Sequence, residues 1–165
     1  MVAAVRDFLR ARRGSVATEF IVAFGPLTLF FFSIWQESLL SSGQALTQHA
    51  AIAAARSATV VLPDNPARYG GSAPNVVSQQ RTDAVRAAAV RAMSPLVFDE
   101  TVQDVQVTFP GATGTLQPGQ DITVKVTAQF KCALPLVKIL ICGAGGTAPI
   151  SAEATLPVQA ARYTY

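Results

Sequence analysis

Two hydrophobic periods divide the chain. From Ser15 to Trp35 apolar residues fill every side of a helical wheel, interrupted only by Glu19 and small polar residues, and no further charge appears until Glu37. At about 1.5 Å per residue, such a segment covers the ~30 Å hydrocarbon core of a bilayer. Beyond Trp35 the pattern narrows to a stripe. Leu39, Leu46, Ala50, Ala53, Ser57 and Val60 recur at helical spacings, within an alanine-rich run that favours helix. One continuous helix from Ser15 to Leu62, roughly 70 Å long, is predicted, with Pro63 and Pro66 ending it. Gly43 is its weak point, costing about 1 kcal/mol relative to alanine. Gly25-Pro26 predicts a kink or local unwinding, because proline removes a backbone donor and crowds the preceding turn.

After a loop rich in proline, glycine and asparagine (Pro63 to Asn75), a second, shorter helix is predicted from Ser78 to Met93. Val85, Ala88, Ala89 and Ala92 form its apolar side. Arg81, Arg86 and Arg91 are spread around it by their five-residue spacing, which suggests a solvated surface. Ser94-Pro95 stops it, since the residue before proline avoids helical geometry. The period then changes to two. Val105, Val107 and Phe109 alternate with polar residues, Ile122 to Phe130 does so over five apolar positions, and Ile150 to Leu156 does so again. Amphipathic strands need an apolar cover on one face. The predicted class is α+β: a long N-terminal helix, transmembrane and then extracytoplasmic, with a short second helix and a small antiparallel sheet.

Charge orients this arrangement. The 165 residues carry a net +3 and a mean hydropathy of +0.35. Arg6, Arg10, Arg12 and Arg13 against Asp7 supply all of that net charge, so everything from Ser15 onward is neutral. By the positive-inside rule the N-terminus stays in the cytoplasm and the rest is translocated. The exported part has no basic patch, so no nucleic-acid partner is expected.

The carboxylate of Glu19 is the least ordinary feature. A charge inside a membrane segment costs about 2.5–3.5 kcal/mol on insertion scales, which calls for a partner or a purpose. A secretory signal peptide, with Ser41-Ser42-Gly43 imitating its cleavage site, would have a shorter apolar core. Arg12-Arg13 alone does not make a twin-arginine signal. An ordinary uncleaved anchor accounts for the arginines and the apolar run but not for Glu19. The stretch Arg12-Arg13-Gly14-Ser15-Val16-Ala17-Thr18-Glu19-Phe20, in which a glycine and a four-residue gap precede Glu-Phe at the mouth of an apolar helix, resembles the processing site of type IV-like prepilins. Within that group the chain is most similar to the TadE-type minor pilins, or pseudopilins, of tight-adherence (Tad/Flp) pili. Pro26, about a dozen residues into the mature chain, fits their interrupted apolar run. Thr18 and Gly25 are mild departures.

The resemblance implies a mechanism. A prepilin peptidase would cut between Gly14 and Ser15, leaving Glu19 and Phe20 as the fifth and sixth residues. Glu19 would pair with the new amine of a neighbouring subunit, turning an isolated charge into a compensated one and setting axial register. The implied partition is a cytoplasmic leader over 1–14, a transmembrane helix over 15–36, its extracytoplasmic continuation over 37–62 and a small domain over 63–165. The implied partners are the prepilin peptidase, other pilin subunits, the Tad assembly machinery and the inner membrane. The implied location is the bacterial inner membrane and then the pilus.

The rest of the sequence offers no catalytic set. His49 is the only histidine, the carboxylates are scattered, and Gly143-Ala144-Gly145-Gly146 lacks the lysine and the strand-to-helix context of a phosphate loop. No enzyme activity, cofactor or metal is expected. Cys132 and Cys142, the only cysteines, are too few ligands for a metal site and lack redox CxxC spacing. In an oxidising compartment they would form a structural disulfide. The enclosed stretch Ala133 to Ile141 is apolar for a loop. It is expected to form two short buried strands joined by a turn or, if exposed, a contact patch for another subunit or the membrane surface.

Overall fold

The computed structural model describes residues 12–112 and 114–159. Helix α1 (Arg12–Val61) spans 50 residues, about 75 Å at the usual rise. It is followed by a 3-10 turn (Pro66–Tyr69), α2 (Gln79–Ala92), α3 (Ser94–Phe98), β1 (Val102–Thr108), β2 (Asp121–Lys131), α4 (Pro135–Cys142) and β3 (Thr147–Pro157). The strands form an antiparallel meander in the order β1-β2-β3. The fold is α+β. Arg6, Asp7 and Arg10, which carry much of the leader charge, lie outside the described residues, as do the side chains of Arg12, Arg13, Gly14 and Ser15.

The sheet has one apolar and one polar face, as alternation requires. Ile122, Val124, Val126, Ala128 and Phe130 of β2 are buried, with Val102, Val105 and Val107 of β1 beside them. The register shifts between Val102 and Val105. The opposite face carries the Thr123–Thr155 hydroxyl pair and the Lys125–Glu153 ion pair.

Helix α1 covers the apolar face, but not with the stripe its larger side chains suggest. Beyond Gln36 its buried residues are Gly43, Thr47, Ala50, Ala51, Ala54, Ala55 and Ala58, with Leu62 just past its end, whereas Val60 is 70% exposed and Ala53 and Ser57 are only half-buried. The small residues face the sheet because they let the helix backbone come close to it. Gly43 shows how close. A Cβ there would stand 2.7 Å from the Phe130 ring. The glycine that looks like a weakness in the helix is therefore required by packing.

Helix α2 begins at the predicted Ser78, whose hydroxyl accepts from the Arg81 amide, and its Val85 and Ala89 are buried. Arg81 corrects the expectation of a solvated arginine face, for it is fully buried. Its guanidinium donates to the carbonyls of Val61, Leu62, Asp64 and Ser72 and lies 4.5 Å from the Tyr69 ring centroid. The last turn of α1 holds no basic residue. Arg81 supplies that cation from the neighbouring helix, where the unsatisfied carbonyls and the negative end of the helix dipole favour it. Arg86 donates to the Val105 carbonyl and pairs with Asp104 at 3.3 Å, while Arg91 remains exposed. Ser94-Pro95 ends α2 as expected, but Pro95 also opens the short α3, where its missing donor costs nothing.

The stretch between the cysteines is the second correction. It forms α4, not two strands. Pro135 in its first turn suits a helix start. Strands β2 and β3 pair with each other out to Lys131↔Thr147, and α4 is the connection between them. Cys132 and Cys142 are disulfide-bonded, with their Cα atoms 6.5 Å apart.

Candidate functional site on the long helix

The residues singled out from sequence fall on one helix and at its junction with the sheet. The described part of helix α1 runs from Arg12, and the Gly14–Ser15 bond lies within it. Glu19 and Phe20 follow on the exposed part, and the Phe20 ring stacks on Phe24 at 5.1 Å. The helical assignment continues through Gly25 and Pro26 without a break, and the space around Gly25 is open. Among the polar residues of this segment, Thr28 and Ser33 return their hydroxyls to the Phe24 and Leu29 carbonyls. They therefore present little unmet polarity to their surroundings.

Exposure changes abruptly along the helix. Val16, Phe20, Ile21, Leu27 and Phe30 are each more than 60% exposed, and Trp35 is 51% exposed. Gln36, the next residue, is fully buried. Helix α1 is long and apolar enough to cross a membrane, with a mean hydropathy of 1.7 in its most apolar window and none of that window buried. The bare face formed by Phe24, Leu27, Phe30, Phe31 and Ile34 lies in this part. Such a surface is stable only in lipid or against other apolar helices.

Gln36 marks the junction. Its Oε1 accepts from the Leu134 amide at 3.3 Å, and its buried Nε2 has no partner among the described residues. The disulfide stands beside this point, because Cys132 precedes Leu134 by two residues. Its two cysteines, ten positions apart, are predicted site residues that the fold does bring together. A cleft of about 320 Å³ opens nearby, between Leu39 and Ser42 of α1 and the charged Asp99, Glu100 and Lys131. The Thr101 hydroxyl and amide hold the Asp99 carboxyl below its ordinary range. Among the described residues no group of histidine, cysteine and carboxylate side chains has the makings of a metal site. His49 is exposed on α1, away from any such group.

Sequence reasoning missed Gln36, Gly43 and Arg81. Two of them carried a signal: a glutamine closing an apolar run, and a lone glycine inside a helix, which can mark a close approach. Arg81 carried none, being one arginine of three at equal spacing.

Comparison with known proteins returned no match, whether to family models, to curated proteins or to solved structures.

Proposed function

We propose that the chain is a minor pilin (pseudopilin) of a Tad/Flp-type pilus, matured by cleavage after Gly14 and assembled through α1. The observation that carries this reading is the bare, apolar first half of α1, with the Glu19 carboxylate standing on it and the folded domain taking hold only at Gln36. A subunit held in a membrane and then in a helical bundle needs such a surface, since both environments cover it. In the bundle Glu19 compensates the amine freed at Ser15 of a neighbour, and the small domains stay outside. The domain contributes no catalytic step and serves as the outward face of the subunit.

One observation favours a second reading. The Gly14–Ser15 bond sits in helical backbone, which a peptidase must unwind before cutting. An uncleaved, membrane-anchored binding or scaffold module has no such requirement.

The intact mass of the full chain, made with and without a prepilin peptidase, separates the two. Loss of residues 1–14 only with the peptidase, blocked by Gly14→Trp, is the expected result. An unchanged mass where a control prepilin is cut refutes the pilin reading and leaves the anchored module. In cleaved material, Glu19→Ala should leave cleavage intact and abolish incorporation into pili.

A further inference from the structure

Three exposed large hydrophobics, Phe98, Ile139 and Leu140, lie at the end of the domain nearest the bare half of α1. Contacts along α1 fix the level of each part. The Phe130 ring of β2 meets α1 at Gly43. The Leu134 amide meets it at Gln36, about 10 Å nearer the N-terminus at the helical rise. Strand β2 thus runs back down α1 toward the exposed segment and delivers α4 beside Trp35. Leu134 opens α4 two residues after Cys132, and Cys142 closes it 6.5 Å from Cys132 in Cα separation. Both ends of α4 are tied near one level, so the helix lies across this end of the domain.

Helix α4 carries apolar residues on both its buried and its exposed side. Val137 is fully buried, while Ile139 and Leu140 are 70% and 74% exposed. Phe98, at the tip of α3, is also exposed at this end, because its neighbours Leu96 and Asp99 line the cleft shared with Leu39 and Lys131. Outside the segment before Gln36, the other large hydrophobics with high exposure are only Ile52 and Val60 among the described residues. Charge at this end is mixed: Lys131 lines the cleft with Asp99 and Glu100, and Lys138 of α4 packs against Gly146.

We propose that Ile139 and Leu140 enter the interfacial zone of the same bilayer that α1 crosses, making α4 a second, shallow membrane contact held in place by the Cys132–Cys142 bridge. The lipid surface is the occupant because α4 starts where Leu134 meets Gln36, the residue after Trp35, which is an exposed aromatic suited to the headgroup boundary. Interfacial helices sink their apolar faces by about 5–10 Å, a depth within reach of a helix lying flat at that level. Mixed charge makes a zwitterionic surface sufficient. This proposal rests on residues 16–35 lying in a bilayer and is independent of cleavage at Gly14.

The test uses the full chain in phosphatidylcholine vesicles with and without bromine on the acyl chains. Trp35 is the only tryptophan, so the unmodified protein reports the span, and single-tryptophan variants are made in a Trp35→Phe background. Leu140→Trp should emit to the blue and be quenched by brominated lipid as strongly as native Trp35. Val60→Trp, 25 residues farther along α1, should emit to the red and remain unquenched. Ile139→Trp carries the same expectation as Leu140→Trp and serves if the latter fails to form its disulfide. Emission and quenching like those of Val60→Trp would overturn the proposal. So would a blue-shifted signal that ignores brominated lipid and grows with protein-to-lipid ratio, for then a second copy covers α4. Unquenched Trp35 would overturn the bilayer placement of α1, and this proposal with it.

Discussion

Replacing Arg81 by methionine should be the most damaging single change in the domain that leaves its core volume nearly intact. The guanidinium reaches four carbonyls, those of Val61, Leu62, Asp64 and Ser72, and the Tyr69 ring. A hydrogen bond to a charged group contributes about 1.5–3 kcal/mol, so four at the lower limit amount to roughly 6 kcal/mol. Methionine avoids the cost of burying a charge, which offsets several kcal/mol of that. Backbone amides partly cover the loss, since Leu62 also accepts from Asn75 at 2.7 Å and Val61 from Asp64 at 3.4 Å. The expected net loss is about 3 kcal/mol, a large share of the 5–15 kcal/mol typical of a domain. Pulse proteolysis in urea, on the full chain in lipid nanodiscs with the disulfide intact, reads this directly as the fraction of protease-resistant domain. Arg81→Lys should fall between, because an ammonium keeps the charge but lacks the planar fork. A loss below about 1 kcal/mol for Arg81→Met would refute the assignment of Arg81 as the cap of α1. Equal losses for methionine and lysine would show that geometry alone, and not charge, is what the site requires.

Three further outcomes follow from the same contacts. Gly43→Ala gains about 1 kcal/mol of helix propensity but overpacks against Phe130, a change that costs about 1–3 kcal/mol. It should therefore be neutral to destabilising alone and become stabilising in a Phe130→Ala background; the same sign in both backgrounds would contradict the contact. Cys132→Ser/Cys142→Ser opens a loop with a sequence separation of 10, worth about 2.5–3 kcal/mol in the chain-entropy model. Urea midpoints at constant m-value should fall accordingly, and an unchanged midpoint would show that the bridge adds nothing to the fold. Asp64 is held below its ordinary pKa of 3.8 by the Asn65 amide first, against the opposing effect of burial, with the Tyr69 hydroxyl and Arg68 also lowering it. Its contribution is whole above about pH 4 and is lost as pH falls through the lower folded-state value. A urea series from pH 7 to pH 2 should show this acid loss reduced in Asp64→Asn, and identical acid profiles would rule the carboxylate out as its source.

Elements set by near neighbours were legible. The apolar block before Gln36, the period-two runs of β1, β2 and β3, the Ser78 cap and the stop at Pro95 depend on residues within a turn or two. Their observed positions lie within a few residues of those predicted. Faces and exceptions were not. Of the stripe Leu39, Leu46, Ala50, Ala53, Ser57 and Val60, Ala50 is buried and Leu39 packs against the core, but Val60 is exposed, and the close approach of helix and sheet brought in small residues from Gly43 to Ala58. Arg81 is a surface residue by every local measure and is buried because the carbonyl end of another helix needs a cation. The cysteine-bounded stretch has the composition of a strand but becomes α4, the connection between the paired strands β2 and β3. Outside α3 and α4, sequence alone determined which segments are helix, strand and membrane-length apolar run, since those follow from periodicity and backbone sterics. Tertiary structure decided which face each segment turns inward and where polar groups find partners, since these depend on contacts between residues far apart in the chain.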